Sequence, residues 1–358
     1  MIIVICVDKF IGGAGNVAQL LARHFASRGD SVTILLDDLS IQKRYQLSNV
    51  SVKKRLSKKS NFIKNSFQTF QSIKRINPDI IISFLTYINR EVLFSQLFSK
   101  TPVIVSERSN PYQTPPTFKG KLLRDICYIR ASLITVQFEY FKGFSRFADH
   151  RKYVVTPNMI LKSNHICKNY FSNIQNTISF VTLASKTPSK RIDLMIKIFK
   201  EINLKNPNTN LYIYGSVSTE PSIIKLIDDL KLNQKIILVN HISNVHEALS
   251  KHDIYLMTSS REGFPNSLSE AMSTGLPSVS FKCHDGLEEL ILNGQNGFLV
   301  DEENVDAFIR TSLSLVKNPL LRKEIGLKAI ESTKKYNSNK VFEIWDDLIK
   351  HLNIKKLL

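Results

Sequence analysis

The sequence predicts an α/β protein built from two doubly wound domains, and three observations carry that prediction. The chain has 358 residues, about two ordinary domains' worth, each long enough to bury a core. Short apolar, β-branched runs alternate with helical stretches along its length, the pattern of parallel sheets covered by helices. That alternation breaks once, across a polar stretch without periodicity at 159–176, and then restarts. Ligands of such sheets bind beyond the carboxyl ends of the strands, so a central cleft faced by both domains is expected.

The elements follow in order. In the first half "IIVICV", "SVTILL", "DIIISF", "PVIVSE", "LITVQ" and "YVVTP" suit fully buried strands. A helix from about Val17 to Ser27, stopped by Gly29, joins the first two. Pro157 and Asn158 close the last of these strands. The second half resumes with "ISFVTLA", "NLYIYGS", "KIILVN", "DIYLMTS" and "LPSVSF". Near the end Val341, Ile344, Trp345, Leu348, Ile349 and Leu352 fall on one helical stripe, so a closing helix must pack on something. The expected divisions are a first domain at 1–158, a linker at 159–176, a second domain at 177–338, and a helix at 339–358 returning to the first domain.

Composition excludes several classes. Hydrophobic residues make up 43% and charged residues 22%, with no biased tract, which argues against disorder and fibres. "MIIVICV" is apolar but has neither a basic flank nor a small-residue cleavage site, so it reads as a strand and not a signal peptide. No apolar run approaches the roughly 18 residues that would span a bilayer. Cys6, Cys127, Cys167 and Cys283 are far apart with no C-x-x-C pair, which speaks against zinc and disulfides and for a reducing cytoplasm. The histidines form no H-x-x-x-H set and D-x-D is absent from the sequence. No metal site is expected.

Charge is distributed unevenly. The net charge is +18, and residues 1–170 hold 26 Lys and Arg against 10 Asp and Glu, whereas 171–358 hold 23 against 21. Eight of those cations lie between Lys53 and Arg75, interleaved with Phe62, Ile63, Phe67, Phe70 and Ile73. Such a segment suits an anionic membrane surface, at about 1 kcal/mol per cation near the lipid. A nucleic-acid patch lacks any accompanying motif. An amphipathic core helix with a solvated basic face is the third reading.

The densest chemistry lies in "SSREGFPNSLSEAMSTGLP", residues 259–277. Ser267 and Glu270 have the S-x-x-E spacing of a capping box, which gives Glu270 a structural explanation alongside ligand binding. Glu262 precedes the helix, on the strand-to-helix loop where a sheet of this kind presents its ligand. A carboxylate there accepts hydrogen bonds from sugar hydroxyls. The backbone N–H groups of Phe264 and Asn266 to Ser269 sit where a helix N-terminus attracts phosphate. Pro265 fixes the turn, and Gly275 and Pro277 end the helix.

This stretch resembles the signature of the retaining, nucleotide-sugar-dependent glycosyltransferases of the GT-B fold, the group 1 (family four) class, whose E-x7-E motif matches Glu262 and Glu270. "IGGAGNVAQLLARHFASRGDSVTIL", "NPDIIISF", "PVIVSERSNP", "VVTPNMI", "SKRIDLMIKIF" and "ILNGQNGFLV" are similar to other segments of that class, in order along nearly the whole chain. The resemblance implies a GT-B fold of two Rossmann-like domains and transfer of a sugar from a nucleoside diphosphate to a glycan acceptor, expected to be lipid-linked. Glu262 would contact the donor sugar near the reacting carbon, and Lys190 would neutralise the donor pyrophosphate. Glu270 would bind the ribose. Gly263, Phe264, Pro265, Asn266, Ser267 and Leu268 would line the donor site with Lys186, Gly12 and Gly13. The two glycines also read as a plain strand-to-helix turn. Asp37 and Asp38 after the second strand leave a dehydrogenase open by position alone.

Two departures stand out. Where the class has a Gly-Arg pair shortly before the lysine, this chain reads Ala184-Ser185, and Lys186 or Arg191 are the candidate replacements. Where many members carry a histidine facing the acceptor, it reads Ser106-Glu107-Arg108. Arg108 either binds an acceptor phosphate or belongs to a structural loop paired with Glu107. The expected partners are a nucleotide sugar, a glycan acceptor and an anionic membrane surface met by the basic first domain, with no cofactor, metal or nucleic acid. The expected place is the inner face of the cytoplasmic membrane. The rivals are a catalytically silent nucleotide-sugar or anionic-polymer binder, and an epimerase or phosphorylase on the same scaffold.

Overall fold

The structure is a computed structural model. It describes residues 1–10, 12–37, 47–55, 61–161, 165–167, 177–240, 242 and 244–357, with side chains through Asn353. Asp38 lies outside these residues.

The chain forms two compact units, Met1–Met159 with Ser338–Leu358 and Ile160–Asn337. The first holds β1 (Ile2–Val7), α1 (Gly13–Ser27), β2 (Ser31–Leu36), β3 (Val50–Lys54), α2 (Phe62–Ile76), β4 (Ile80–Phe84) and α3 (Thr86–Ser95). It continues with β5 (Val103–Ser106), α4 (Phe118–Tyr128), β6 (Leu133–Val136) and β7 (Tyr153–Val155). The strands form one parallel sheet in the order β3-β2-β1-β4-β5-β6-β7. Strand order reverses between β1 and β4, which defines the sheet's switch point.

The second unit holds β8 (Ile178–Leu183), α5 (Ile192–Lys205), β9 (Thr209–Tyr214), α6 (Pro221–Asp229), β10 (Ile236–Val239), α7 (Val245–Leu249) and β11 (Ile254–Met257). It ends with α8 (Asn266–Ser273), β12 (Ser278–Lys282), β13 (Phe298–Asp301), α9 (Val305–Lys317) and α10 (Pro319–Thr333). Its parallel sheet runs β10-β9-β8-β11-β12-β13, with the switch point between β8 and β11. The last helix, α11 (Ser338–Leu357), returns to the first unit. Val341, Trp345, Leu348, Ile349 and Leu352 join the core formed by Ile3, Ile5, Phe84 and their neighbours. Each such side chain contributes about 1.5–3 kcal/mol of apolar burial, which anchors the helix.

Three expectations change. The first helix starts at Gly13, not near Val17. β3 was absent from the sequence reading because it is an edge strand whose Lys53 and Lys54 are exposed, so it lacks a buried apolar run. Of the stretch 159–176, read as a linker, Met159 packs on the first unit's core, while Ile160 and Cys167 are bonded to the second unit. The Ile160 N–H donates to Tyr336 O at 2.9 Å and the Cys167 N–H to Thr274 O at 2.7 Å. Among the described residues no helix is long and apolar enough to cross a membrane.

Candidate functional site

The second sheet's switch point brings two loops side by side. β8 and β11 are hydrogen-bonded neighbours, in register through Phe180 with Ile254 and Val181 with Tyr255. The chain leaves β8 into residues 184–191 and leaves β11 into residues 258–265. These loops are laced together by backbone contacts. The Ser260 N–H donates to Ser189 O at 2.8 Å. The buried Thr258 hydroxyl lies 3.0 Å from Lys190 O and 3.1 Å from Arg191 O and donates to that pair of carbonyls.

That lacing sets the charged groups. Lys190 Nζ donates to Glu262 Oε1 at 2.6 Å, across 72 residues of sequence. The two side chains are 22% and 11% exposed, so the pair is sheltered yet open to a ligand. A charge-assisted bond of this kind is roughly twice as strong as a neutral one. Arg191, next in the chain, has φ 50° and ψ 46°, a left-handed conformation that costs a residue with a Cβ about 1–2 kcal/mol. The Thr258 bond offsets part of that cost, as does the Arg191 Nη1 contact to Glu302 Oε1 at 2.9 Å. The guanidinium also sits 5.9 Å from the Phe281 ring centroid.

The helix beyond differs from the sequence expectation in one respect. α8 has Pro265 at its N-cap and makes no side-chain cap bond. Ser267 is the second residue of the helix, so it stands in the wrong place to cap, and the S-x-x-E spacing is not a capping box. Capping is therefore not the role of Glu270. Gly263, Pro265 and Asn266 lead into the helix, where by helix geometry the first-turn N–H groups, those of Ser267 and Leu268 among them, have no acceptor within the helix. Phe264 is buried with its ring 5.3 Å from that of Tyr336. Gly275 has φ 85°, and the Gly275 and Leu276 N–H groups bond Met272 O and Ala271 O at 3.0 and 3.1 Å, a Schellman ending. Glu262 and Glu270 act on a common neighbour. The buried Tyr255 phenol is pushed well above its ordinary range by burial, and the negative charges of both glutamates push it further.

The loop after β8 rests on Gly215, with φ 112°, where a Cβ would stand 2.3 Å from Ala184 O. The Lys186 N–H then donates to Ser216 Oγ at 3.3 Å, and Lys186 Nζ lies 3.4 Å from Glu220 Oε2. Lys186 and Arg191, the candidates for the missing arginine, thus each face a carboxylate of their own. His284 is buried and its pKa falls to about 4, chiefly through loss of solvation, with a backbone bond to Gly263 acting in the opposite direction. Sequence reasoning missed Thr258, Ser260, Gly215 and Tyr255. Thr258 and Ser260 were marked only by lying between the strand and Glu262.

In the first unit Gly12 caps α1 with φ 94° and Gly13 is the helix's first residue. The more constrained glycine is Gly15, where a Cβ would stand 2.3 Å from Lys9 O. At the same switch point Leu85 opens α3 with φ 75°, a strained conformation for a bulky residue. The expected Glu107–Arg108 pairing does not occur. Arg108 is buried and donates to Ser106 Oγ, Thr156 O, Thr156 Oγ1 and Asn158 Oδ1 at 2.7–2.9 Å. It belongs to the framework of this unit, and burial lowers its pKa to about 9. Glu107 instead accepts from Thr86 Oγ1 at 2.8 Å and from the Tyr128 hydroxyl. Burial raises its pKa.

Among the described residues no three His, Cys, Asp or Glu side chains are gathered for a metal ion. Residues 171–332 match the family described as glycosyl transferases group 1. The chain is 26% identical over 196 residues to an uncharacterized glycosyltransferase of Haemophilus influenzae, a match covering 55% of this chain and 54% of that one. It is 30% identical over 167 residues to the poly(ribitol-phosphate) alpha-N-acetylglucosaminyltransferase of Staphylococcus aureus, covering 46% of this chain and 34% of that one. The chain therefore spans about half the length of the first of these relatives and a third of the second. HepE of Anabaena, solved with UDP and glucose, superposes with a TM-score of 0.81 at 14% identity over 98% of this chain and 100% of that one. The fold shared with it is GT-B.

Proposed function

Because residues 171–332 belong to the group 1 glycosyl transferases, we propose that the chain moves a sugar from a nucleoside diphosphate to a glycan acceptor with retention at the anomeric carbon. The observation that carries this reading is the Lys190–Glu262 pair, 2.6 Å apart at a sheet switch point beside the start of α8. When the glycosidic bond breaks, negative charge grows on the departing diphosphate. Lys190 Nζ and the first-turn N–H groups of α8 supply fixed positive charge to that position. Glu262 accepts from sugar hydroxyls near the reacting carbon, and Glu270 from the ribose. Gly263 to Leu268, with Lys186, are assigned the second unit's remaining donor contacts. The acceptor hydroxyl attacks from the face the leaving group departs from, and the departing phosphate oxygen takes its proton. Charge neutralisation is assigned to the protein's own groups, without metal.

The acceptor is read as a lipid-linked glycan held by the first unit, at the inner face of the cytoplasmic membrane, in the synthesis of a cell-surface polymer. The excess of cations in residues 1–170 and the surface-polymer activity named for the Staphylococcus relative support that reading.

A test follows directly. Nucleoside diphosphate release from a panel of nucleotide sugars is measured with and without glycan acceptors, alongside melting shifts, since a ligand bound to the folded state raises its stability. Lys190→Ala and Glu262→Ala are expected to abolish release while melting like the parent. Full release by either variant rejects the assignment. A parent that binds nucleotide sugar but never releases diphosphate is instead a silent binder.

A further inference from the structure

Helix α2 is built inside out. A surface helix ordinarily buries its apolar stripe and solvates its polar face. Here the buried residues are Asn65, Ser66, Thr69 and Ile73, three of them polar. Asn65 Nδ2 donates to Glu91 Oε1 at 3.0 Å, and Arg55 Nη1 reaches Glu91 Oε2 at 2.7 Å and Thr69 Oγ1 at 3.4 Å. The polar interior turns the apolar side of the helix outward, leaving Ile63 69% and Phe67 60% exposed. The core-helix reading holds for the basic residues, since Lys64, Lys74 and Arg75 are solvated, but fails for the buried face, which is mainly polar.

The exposed apolar face extends beyond α2. The Phe62 ring packs 5.2 Å from that of Phe94 at the end of α3. Leu97 and Phe98 follow Phe94, and Phe98 is 97% exposed. Arg130, beyond the end of α4, donates to Gln96 O at 3.1 Å and also bonds Ser99 O, which ties the end of α4 to the segment after α3, and the adjoining Ile129 is exposed. Exposed apolar side chains gathered on neighbouring elements mark an interaction site, where singly scattered ones do not.

The charge around it is of one sign. Lys64, Lys74 and Lys100 are exposed there. No acidic residue lies between Asp38 and Asp79, or from Val92 to Ser106. The neighbouring acids Glu91 and Asp125 are buried against Arg55 and Arg124. A second copy of this face would meet like charge. A partner with an apolar interior under an anionic surface matches both features at once, aromatic side chains entering the first and lysines meeting the second.

We infer that the face made by Ile63, Phe67, Phe94, Leu97, Phe98 and Ile129 docks the first unit on an anionic lipid bilayer. This rests on, and localises, the membrane part of the proposed function. The full chain is floated with vesicles of phosphatidylcholine alone and of phosphatidylcholine with phosphatidylglycerol. Parent protein is expected to float with the anionic vesicles and to be released by salt. The double variant Phe67→Ser/Phe98→Ser is expected to lose at least about tenfold in partitioning, from two aromatic side chains no longer buried. Lys64→Glu is expected to lose about fivefold or more. Leu320→Ser/Leu327→Ser, which removes two exposed leucines of α10 in the other unit, is expected to float like the parent.

Absence of parent flotation overturns the inference, as does equal flotation on neutral vesicles, unchanged flotation of the Phe67/Phe98 variant, or binding only to an acidic protein. Melting shifts with nucleoside diphosphates are read on the same samples. Loss of those shifts in the parent defeats the transferase reading and leaves the flotation result standing; their retention in a variant that no longer floats separates the two.

Discussion

Arg55 in the first unit and Lys190 in the second are both cations set against carboxylates just beyond strand ends, and they differ in what each leaves unmet. Arg55 is 1% exposed and holds Asp37 at 2.5 and 2.8 Å as well as Glu91 at 2.7 Å. Four hydrogen bonds within the protein engage its guanidinium, and with Thr69 and Asn65 it forms a framework that decides which side of α2 faces inward. Lys190 makes one short bond to one carboxylate, under a partly open surface. The same pairing of charges is thus structural where it is closed and available to a ligand where it is not. Burial and satisfaction, more than residue type, separate the two roles.

That contrast can be broken by experiment. The largest effect is expected from Arg55→Ala, which leaves Asp37 and Glu91 without their cation and should cost about 3–5 kcal/mol of stability. Denaturant or thermal melting measures it, and a variant as stable as the parent would place Arg55 outside the framework. Next comes Glu262→Gln, which keeps the shape and removes the charge. A fall in turnover of about 10²–10³-fold with unchanged melting is expected, comparable to losing one charge-stabilising contact in other active sites.

Acid should act third, through the second unit. Buried His252 and His284 have pKa values lowered to about 4, first of all by loss of solvation. The unfolded chain binds their protons at its ordinary value near 6.5, so stability is full above that value and is lost as pH falls from 6.5 toward 4. Each is expected to cost about 2 kcal/mol at pH 5 relative to pH 7.5. His252→Asn and His284→Asn should flatten the pH dependence of melting, and an unaltered curve would remove these groups from the account. The smallest effect is expected from Thr258→Val, which loses the hydroxyl bonding Lys190 O and Arg191 O, worth about 1 kcal/mol and so about fivefold in kcat/KM. Thr258→Ser should restore activity, which a purely volumetric role would not predict.

The legible parts of the chain were those whose signal is local. Buried parallel strands such as "IIVICV" and "ISFVTL" announce themselves by composition, and the glycine that ends α8 by its position. β3 escaped because an edge strand with exposed lysines carries no apolar run. The Ser267–Glu270 spacing misled because the helix begins two residues earlier than a cap at Ser267 requires. Neighbours in sequence, Glu107 and Arg108, were expected to pair, yet successive residues leaving a strand point to opposite sides, and each found other partners.

By itself the sequence determined two doubly wound units, the positions of their strands and the loop that carries Glu262, because side-chain periodicity and turn chemistry are properties of a few adjacent residues. Only the tertiary structure decided that residues 190 and 262 meet and that α2 turns its apolar side outward. The first depends on β8 and β11 becoming neighbours, and the second on Arg55 and Glu91 drawing polar groups inward. Both are set by contacts between segments far apart in the chain.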